Sequence, residues 1–199
     1  PPRSTLFPYT TLFRSRGLLI PLQLLRKRGC TWGVEVLCEA IINGHLDCVR
    51  YAMNHGCPTL LYVHSNKYNA YKLTDIASHA GQMEILVYLI QEKNEMIDGD
   101  TIFHALEGNH SEIAQYLYHI GCSVYEDLFT QYEPNSHTYS HCHRFEEDCQ
   151  ICQTKTQFVK FLVESGHKFK QFKLCACVKR FGHLELLEYL KEKEFQYAW

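Results

Sequence analysis

The sequence predicts an all-α protein, a solenoid of stacked antiparallel helix-turn-helix repeats. Three observations lead to this prediction: a 14-residue motif recurs along the chain, its apolar residues have helical spacing, and glycine follows most copies. A helix of about ten residues is only marginally stable alone. Each helix pair is therefore expected to bury its apolar side against the pairs before and after it.

The composition limits the classes of protein that fit. Of the 199 residues 46% are hydrophobic, which is enough for a sizeable core. The formal net charge of −2 gives no large field of either sign, so neither nucleic acid nor a membrane surface is an expected partner. No apolar run approaches the roughly 20 residues that span a bilayer. The ten cysteines are expected to be reduced thiols in the cytoplasm.

Residues 1–15 are expected to be foreign to the native protein. The stretch Thr5 to Ser15, TLFPYTTLFRS, matches codon for codon the translation of a common short-read sequencing adapter. Such a segment does not take part in fold reasoning. The repeat array is therefore expected to cover residues 16–199.

The recurring motif reads Gly-His-Leu-acid followed by apolar residues and an aromatic or leucine anchor seven residues after the glycine. Its plainest copy is GHLDCVRYAMNHGC, and its most degenerate is TKTQFVKFLVESGH. The anchors at positions 24, 51, 88, 116, 161 and 189 are separated by 27, 37, 28, 45 and 28 residues. This spacing predicts about six repeats, the outer ones incomplete, with insertions near 58–68 and 133–149.

Each motif position has an expected structural role. The acidic residue lies in the first turn, near the positive end of the helix dipole, and a glycine after the helix forms a left-handed cap. Lys93 and Glu194 replace that cap in two copies, so their turns are expected to be weaker or differently shaped. Leu184, Leu187 and Leu190 are expected to form an apolar stripe with Leu186 beside them.

The motif histidines are expected to stabilise the turn by a hydrogen bond, and a first helix is expected to end just before each motif. The residues to which the sequence assigns a structural role in the repeat are Gly44, His45, Tyr51, Gly56, Gly81, Tyr88, His110, Tyr116, Gly121, Phe161, Gly166, Gly182, His183 and Tyr189.

The stretch GHLDCVRYAMNHGCP, from Gly44 to Pro58, resembles the second helix and following turn of an ankyrin repeat. It is most similar to the short Cys-rich variety found in large DNA viruses and some protists. The usual Thr-Pro-Leu-His of the first helix is absent, and the period is shorter than 33 residues. The resemblance implies a scaffold or adaptor in the cytoplasm, the host cytosol if viral. It implies binding of another protein through inner helices and inter-repeat loops, without catalysis.

Aromatic residues outside the repeat anchors are the candidates for partner binding, because rigid aromatic side chains often anchor interfaces. The alternative is that each one folds back to cover a neighbouring repeat. The candidates are Trp32, Tyr62, Tyr68, Tyr71 and Tyr125.

The insertion offers a second hypothesis, a zinc-stabilised structural or binding element centred on residues 137–152. Cys149 and Cys152 have the spacing of half a zinc knuckle, and His141, Cys142 or His143 would complete four ligands. The zinc content of the purified protein separates the two hypotheses. No other cofactor is expected.

Motifs of the common enzyme classes do not occur in the chain. The sequence has no phosphate loop, no Gly-x-Ser-x-Gly elbow, no dinucleotide fingerprint and no zinc-protease helix. Ten cysteines and twelve histidines make an accidental Cys-His pair easy, so such a pair alone does not predict catalysis. We expect a protein that is not an enzyme.

Overall fold

The computed structural model describes residues 19–59, 72–125, 150–169, 178 and 184–193. All regular secondary structure in these ranges is α-helical, which confirms the all-α class for the described residues. None of the described helices is long and apolar enough to cross a membrane. The helices are α1 Leu19–Lys27, α2 Glu35–Ile42, α3 Leu46–Asn54, α4 Leu73–His79, α5 Met83–Gln91, α6 Gly99–Glu107, α7 Ser111–His119, α8 Gln150–Glu164 and α9 Leu184–Glu192.

The chain divides into two compact units, Pro1–Ile97 and Asp98–Trp199. In the first unit α2 pairs with α3 and α4 pairs with α5, while α2 also packs on α4 and α3 on both α1 and α5. In the second unit α6 pairs with α7, and α8 packs on both of them. Residues 1–15 and most of the two expected insertions lie outside the described residues.

Each described hairpin turns at a residue in the left-handed conformation. Gly44, Gly81 and Asn109 have φ angles of 74°, 75° and 65°, a region that suits glycine and that asparagine tolerates. The main-chain N–H of the next residue then donates to a carbonyl five residues earlier, over 2.8 Å from His45 to Ala40. The first helix of these pairs therefore ends just before the motif, as the sequence predicts.

Histidine contributes to this turn through its main chain. The N–H of His110 donates to the Ala105 carbonyl over 2.8 Å, matching the bond that His45 makes. Neither imidazole caps the helix that follows. Gln82 makes the same main-chain bond, to Ala77 over 2.9 Å, so the turn does not depend on the identity of this side chain.

The glycines that follow the second helices confirm the predicted caps, with φ angles between 74° and 89° at Gly29, Gly56, Gly121 and Gly166. The copy that carries Lys93 turns differently, as expected. There the left-handed residue is Asn94, with a φ of 53°, and the N–H of Glu95 reaches back six residues to Leu89 over 3.0 Å.

The core of α3, α5, α7 and α8 comes from fixed motif positions, four, five and eight residues after the glycine slot. In α3 these are Cys48, Val49 and Ala52, all buried. In α9 the buried residues are Leu186 and Leu190, while 68% of Leu184 is exposed. The predicted stripe that included Leu184 was therefore wrong. At 100° per residue Leu184 lies about 200° from Leu186, on the other side of the helix.

Two cysteines that follow cap glycines make hydrogen bonds back to the start of their own repeats. The Cys57 thiol donates to the Gly33 carbonyl over 3.3 Å, and the Cys122 thiol donates to the Asp98 carbonyl over 3.0 Å. Both are buried, as expected, whereas Cys30 is half-buried. Burial raises the pKa of Cys57 to about 12. The thiol therefore stays protonated and able to donate across the ordinary pH range.

Replacing Gly44 by alanine is expected to destabilise the protein more than the same change at Gly56. Both have a φ of 74°, which costs an alanine about 1–2 kcal/mol. A Cβ at Gly44 would also lie 2.8 Å from the Gln82 Oε1, so the Gln82 side chain would have to move and give up its hydrogen bond to the Ile42 carbonyl, whereas a Cβ at Gly56 meets nothing within 4 Å. Urea unfolding measures both free energies. The difference should vanish in a Gln82→Ala background, and its persistence would contradict this cause.

Cys57 is expected to make stability fall as the pH rises above 9. Its pKa rises from 9.0 to about 12 on folding, so the unfolded chain loses the proton first and alkaline pH favours unfolding. Cys57→Ala should therefore be destabilised at pH 7 by lost packing, with a gap to the native chain that narrows between pH 9 and 11. Urea unfolding along this pH series measures the gap, and a constant gap would contradict the raised pKa.

Candidate functional site

The first unit presents one side of its first helices to solvent. On α2 the accessible residues recur at steps of three and four, from Glu35 to Ile42, and 51% of Ile42 is exposed. Helices α2 and α4 pack on each other, and both have accessible side chains. We call these side chains the first-helix face; they are Glu35, Cys38, Glu39 and Ile42 of α2 with Ile76 and His79 of α4.

The charge of the first-helix face is acidic on α2. Neither Glu35 nor Glu39 has an ion-pair partner among the residues that the structure describes. Burial and the neighbouring Glu35 carboxylate raise the pKa of the Cys38 thiol to about 11. The thiol is therefore neutral at physiological pH and a weak nucleophile. This surface offers apolar contact and carboxylate acceptors rather than a reactive group.

Neighbouring repeats are joined by a cation that lies over the anchor ring of the next repeat. The Arg50 guanidinium is 4.4 Å from the centre of the Tyr88 ring, and the Lys160 ammonium is 5.4 Å from that of Tyr189. Both cations stand one residue before their own repeat's anchor, six residues after the glycine slot. Contacts of this kind attract a cation to the electron-rich face of the ring, so they link successive second helices.

Each of these cations also pairs with a carboxylate of the next repeat. Arg50 makes two hydrogen bonds to Glu92, at 3.0 and 2.8 Å, and Lys160 donates to Glu185 over 2.6 Å. The Lys160 ammonium lowers the pKa of Glu185. The two junctions thus combine a ring contact with an ion pair, although Glu92 comes four residues after its anchor Tyr88 and Glu185 four residues before Tyr189.

The anchors use their rings more than their hydroxyl groups. Tyr88 is 3% exposed, yet neither its hydroxyl nor that of Tyr116 has a hydrogen-bond partner in the part of the chain that the structure describes. The ring of Tyr51 packs edge-on against Trp32 with centroids 6.0 Å apart, and Phe161 packs against Tyr118 at 5.8 Å. Gly182 and His183 lie outside the described residues.

Two of the aromatic residues proposed for partner binding are described, and both contact their own unit. Trp32 is half-buried beside Tyr51. The Tyr125 ring lies against Gly99, where an added Cβ would approach it to 2.5 Å. These contacts agree with the alternative that loop aromatics fold back on the repeats, and partner binding by either residue stays a prediction. Outside the described residues lie Tyr62, Tyr68 and Tyr71.

Of the proposed zinc ligands only Cys152 is described. It lies in the first turn of α8 and is 3% exposed, so this thiol belongs to a helix rather than to a loop. The described ranges contain no group of three side chains suited to hold a metal ion. Zinc binding stays a prediction, because the remaining ligands, His141, Cys142, His143 and Cys149, lie outside those ranges.

Comparison with known proteins does not identify a family for this chain. No family model matches the chain, and no curated protein is significantly similar to it. The argument for function therefore depends on the surfaces and contacts described above.

Sequence reasoning missed the cations at the junctions and the thiol bonds. Arg50 and Lys160 share one motif position, but the other copies carry uncharged or acidic residues there, so the pattern is visible only in two of six. The outward side of α2 was detectable, because Glu35, Glu39 and Ile42 follow the steps of three and four that mark one helix side.

Replacing Tyr88 by phenylalanine is expected to leave the melting temperature unchanged or raised. The change removes a buried hydroxyl that has no hydrogen-bond partner among the described residues. Removal of such a group is neutral or stabilising. Tyr88→Leu should melt lower, since it also removes the ring under Arg50. Circular dichroism during heating measures all three proteins.

The matched control is Tyr189→Phe, which removes a hydroxyl that donates to Glu164 over 3.2 Å. It should not gain stability. A melting temperature of Tyr88→Phe several degrees below that of the native chain would show that the Tyr88 hydroxyl has a partner, contrary to this interpretation.

Proposed function

We propose that the chain is a protein–protein interaction module, an ankyrin-like repeat array that acts as a scaffold or adaptor in the cytoplasm without catalysis. The observation that carries the proposal is the first-helix face, whose side chains are accessible and whose carboxylates are not used in ion pairs within the described residues. Its expected partner is another protein, not nucleic acid or a membrane.

The repeated turn supports an array. Gly44, Gly81 and Asn109 all have the left-handed conformation. In each case the N–H of the next residue donates to the carbonyl five residues before it. Helix pairs built on one turn geometry can stack with a constant rotation, and such stacks present the same helix side from every repeat. An extended surface of this kind is suited to hold a partner protein.

The chemistry of the face supports a protein partner. The face combines the apolar side chains of Ile42 and Ile76 with the polar residues Glu35, Glu39 and His79. Protein interfaces have an apolar centre with a polar rim, and this face has side chains of both kinds. Helix α2, which carries most of this face, is anchored in the core by its fully buried residues Leu37, Ala40 and Ile41. Its outer side is therefore already formed before a partner binds.

The proposal that the chain is not an enzyme agrees with the protonated state of three of its thiols. Burial raises the pKa values of Cys48 and Cys57, and burial together with Glu35 raises that of Cys38. A nucleophilic cysteine needs the opposite, a thiolate stabilised by positive charge. Cys48 and Cys57 are instead buried in the core, and Cys57 donates a hydrogen bond to the Gly33 carbonyl.

The test is affinity capture with the full chain as bait, followed by mass spectrometry. Ile42→Asp places a charge at the centre of the first-helix face and is expected to lower recovery of a specific partner about tenfold or more. The matched control is Ile20→Asp, since Ile20 is also exposed, at 70%, but lies on α1. Circular dichroism confirms that both variants fold.

A partner retained equally by the native chain, Ile42→Asp and Ile20→Asp would show that the first-helix face is not the binding surface. Loss of the partner from both variants, with both folded, would place the binding surface elsewhere or across both helices. Only selective loss from Ile42→Asp supports the proposal.

A further inference from the structure

One dipeptide at the turn of the first hairpin is chemically labile. Asn43 is followed by Gly44, and no other asparagine in the sequence precedes a glycine. Glycine has no side chain to shield its main-chain nitrogen, so this nitrogen can approach the preceding asparagine side chain more easily than that of any other residue. The covalent structure of the chain therefore favours deamidation at this pair above all others.

Deamidation of this pair is a cyclisation followed by hydrolysis. The main-chain nitrogen of Gly44 bonds to the side-chain Cγ of Asn43, and the bond from Cγ to Nδ2 breaks. The side-chain nitrogen leaves as ammonia and takes up, through water, the proton that the Gly44 nitrogen loses. Water then opens the five-membered succinimide at either of its carbonyls and leaves aspartate or isoaspartate. The only co-reactant is water.

The folded turn keeps the two reacting atoms apart. Ring closure requires the Gly44 nitrogen to eclipse the Cα–Cβ bond of Asn43. At the observed ψ angle of 4°, it eclipses the main-chain nitrogen of Asn43 instead. Because the substituents of Cα are tetrahedral, rotation of the side chain alone cannot close the ring. The main chain at Asn43 has to rotate first.

Hydrogen bonds at the turn oppose that rotation. The departing group, Nδ2 of Asn43, donates to the Glu39 carbonyl over 2.7 Å. The attacking nitrogen of Gly44 donates to the Ile41 carbonyl over 3.0 Å. The five-residue main-chain bond of this turn, described above, holds the residue that follows. Both reacting groups are therefore held in other bonds as long as the hairpin is closed.

We propose that Asn43 is a modification site controlled by opening of the α2–α3 hairpin, deamidating when the turn opens and protected while it is closed. Folded proteins open locally at a lower cost than that of global unfolding. Asn43 is half-buried and Gly44 is exposed, so water reaches the turn once it opens. The inference is independent of partner binding at the first-helix face.

Either product weakens the turn that protected the asparagine. A carboxylate cannot donate to the Glu39 carbonyl, and it places a negative charge at the C-terminal end of α2, where the helix dipole disfavours anions. Isoaspartate also adds a carbon atom to the main chain, so the Gly44 N–H loses its register with the Ile41 carbonyl. Modified chains therefore accumulate with each opening and close their hairpin less well.

The first test follows the tryptic peptide Gly29–Arg50 of the full chain by mass spectrometry, after incubation at neutral pH in buffer or in guanidinium chloride. Asn43 is the only asparagine of this peptide, which has no glutamine, so its gain in mass reports this site. Conversion is expected to be about tenfold or more slower in buffer than in the denaturant. Asn43→Ser should abolish the gain in mass under both conditions.

A pair of core variants separates opening of the first hairpin from opening elsewhere. Leu37 of α2 and Leu117 of α7 are both fully buried, but they lie in different units. In buffer, Leu37→Ala should speed conversion of Asn43 about tenfold, whereas Leu117→Ala should leave it unchanged. Gln82→Ala removes only a hydrogen bond to the Ile42 carbonyl. It should speed conversion by a smaller factor, and it replaces Leu37→Ala where that variant does not fold.

The effect of the product is measured on Asn43→Asp by circular dichroism during heating. This variant should melt several degrees below the native chain, because it carries the anion at the end of α2. The matched control is Asn54→Asp at the end of α3. There the Oδ1 of Asn54 accepts a hydrogen bond from Lys93 over 2.8 Å, so the new carboxylate gains an ion pair and the melting temperature should not fall.

Equal conversion in buffer and in the denaturant overturns the proposal, since the closed turn would then give no protection. Absence of conversion in the denaturant also overturns it, because the pair is free to react there. Equal acceleration by Leu37→Ala and Leu117→Ala rules out control by the first hairpin. A melting temperature of Asn43→Asp at or above that of the native chain contradicts the weakening of the turn by its product.

Discussion

Each described helix pair turns through one residue in the left-handed conformation, and the register of the following helix depends on it. At Gly44 the φ angle of 74° allows the N–H of His45 to reach the Ala40 carbonyl. This bond fixes where the next helix starts, and with it which positions face the core. Cys48, Val49 and Ala52 are buried as a consequence. Most side chains with a Cβ resist this conformation, whereas glycine adopts it freely and asparagine tolerates it, so a glycine or asparagine recurs in this slot.

Once the hairpin is fixed, polar contacts decide how one repeat meets the next. Gln82 rests on the Gly44 turn and donates to the Ile42 carbonyl over 3.3 Å. Arg50 covers the Tyr88 ring and pairs with Glu92. These contacts lie at the edges of a core made by aliphatic side chains. The core supplies most of the stability, and the edge contacts specify the neighbour.

The all-α class, the helix ends and the caps were predictable from the sequence, because a repeated pattern shows its period and glycine marks its turns. The differently shaped turn after Lys93 was predictable for the same reason. The burial of Leu184 was predicted wrongly, since three-residue steps fit more than one side of a short helix. The thiol bonds of Cys57 and Cys122 were not predictable, because they depend on how closely each thiol approaches a carbonyl 24 residues earlier.

The thiol bond of the repeat has a consequence for the history of the chain. Cys57 and Gly33, like Cys122 and Asp98, are 24 residues apart, less than the 27 or 28 residues of one repeat. Donor and acceptor are therefore encoded in one short stretch of gene. Tandem duplication of that stretch copies the complete bond, with no need for a matching change elsewhere. Because the bond lies within one repeat, an array can gain or lose copies while each copy keeps its fold.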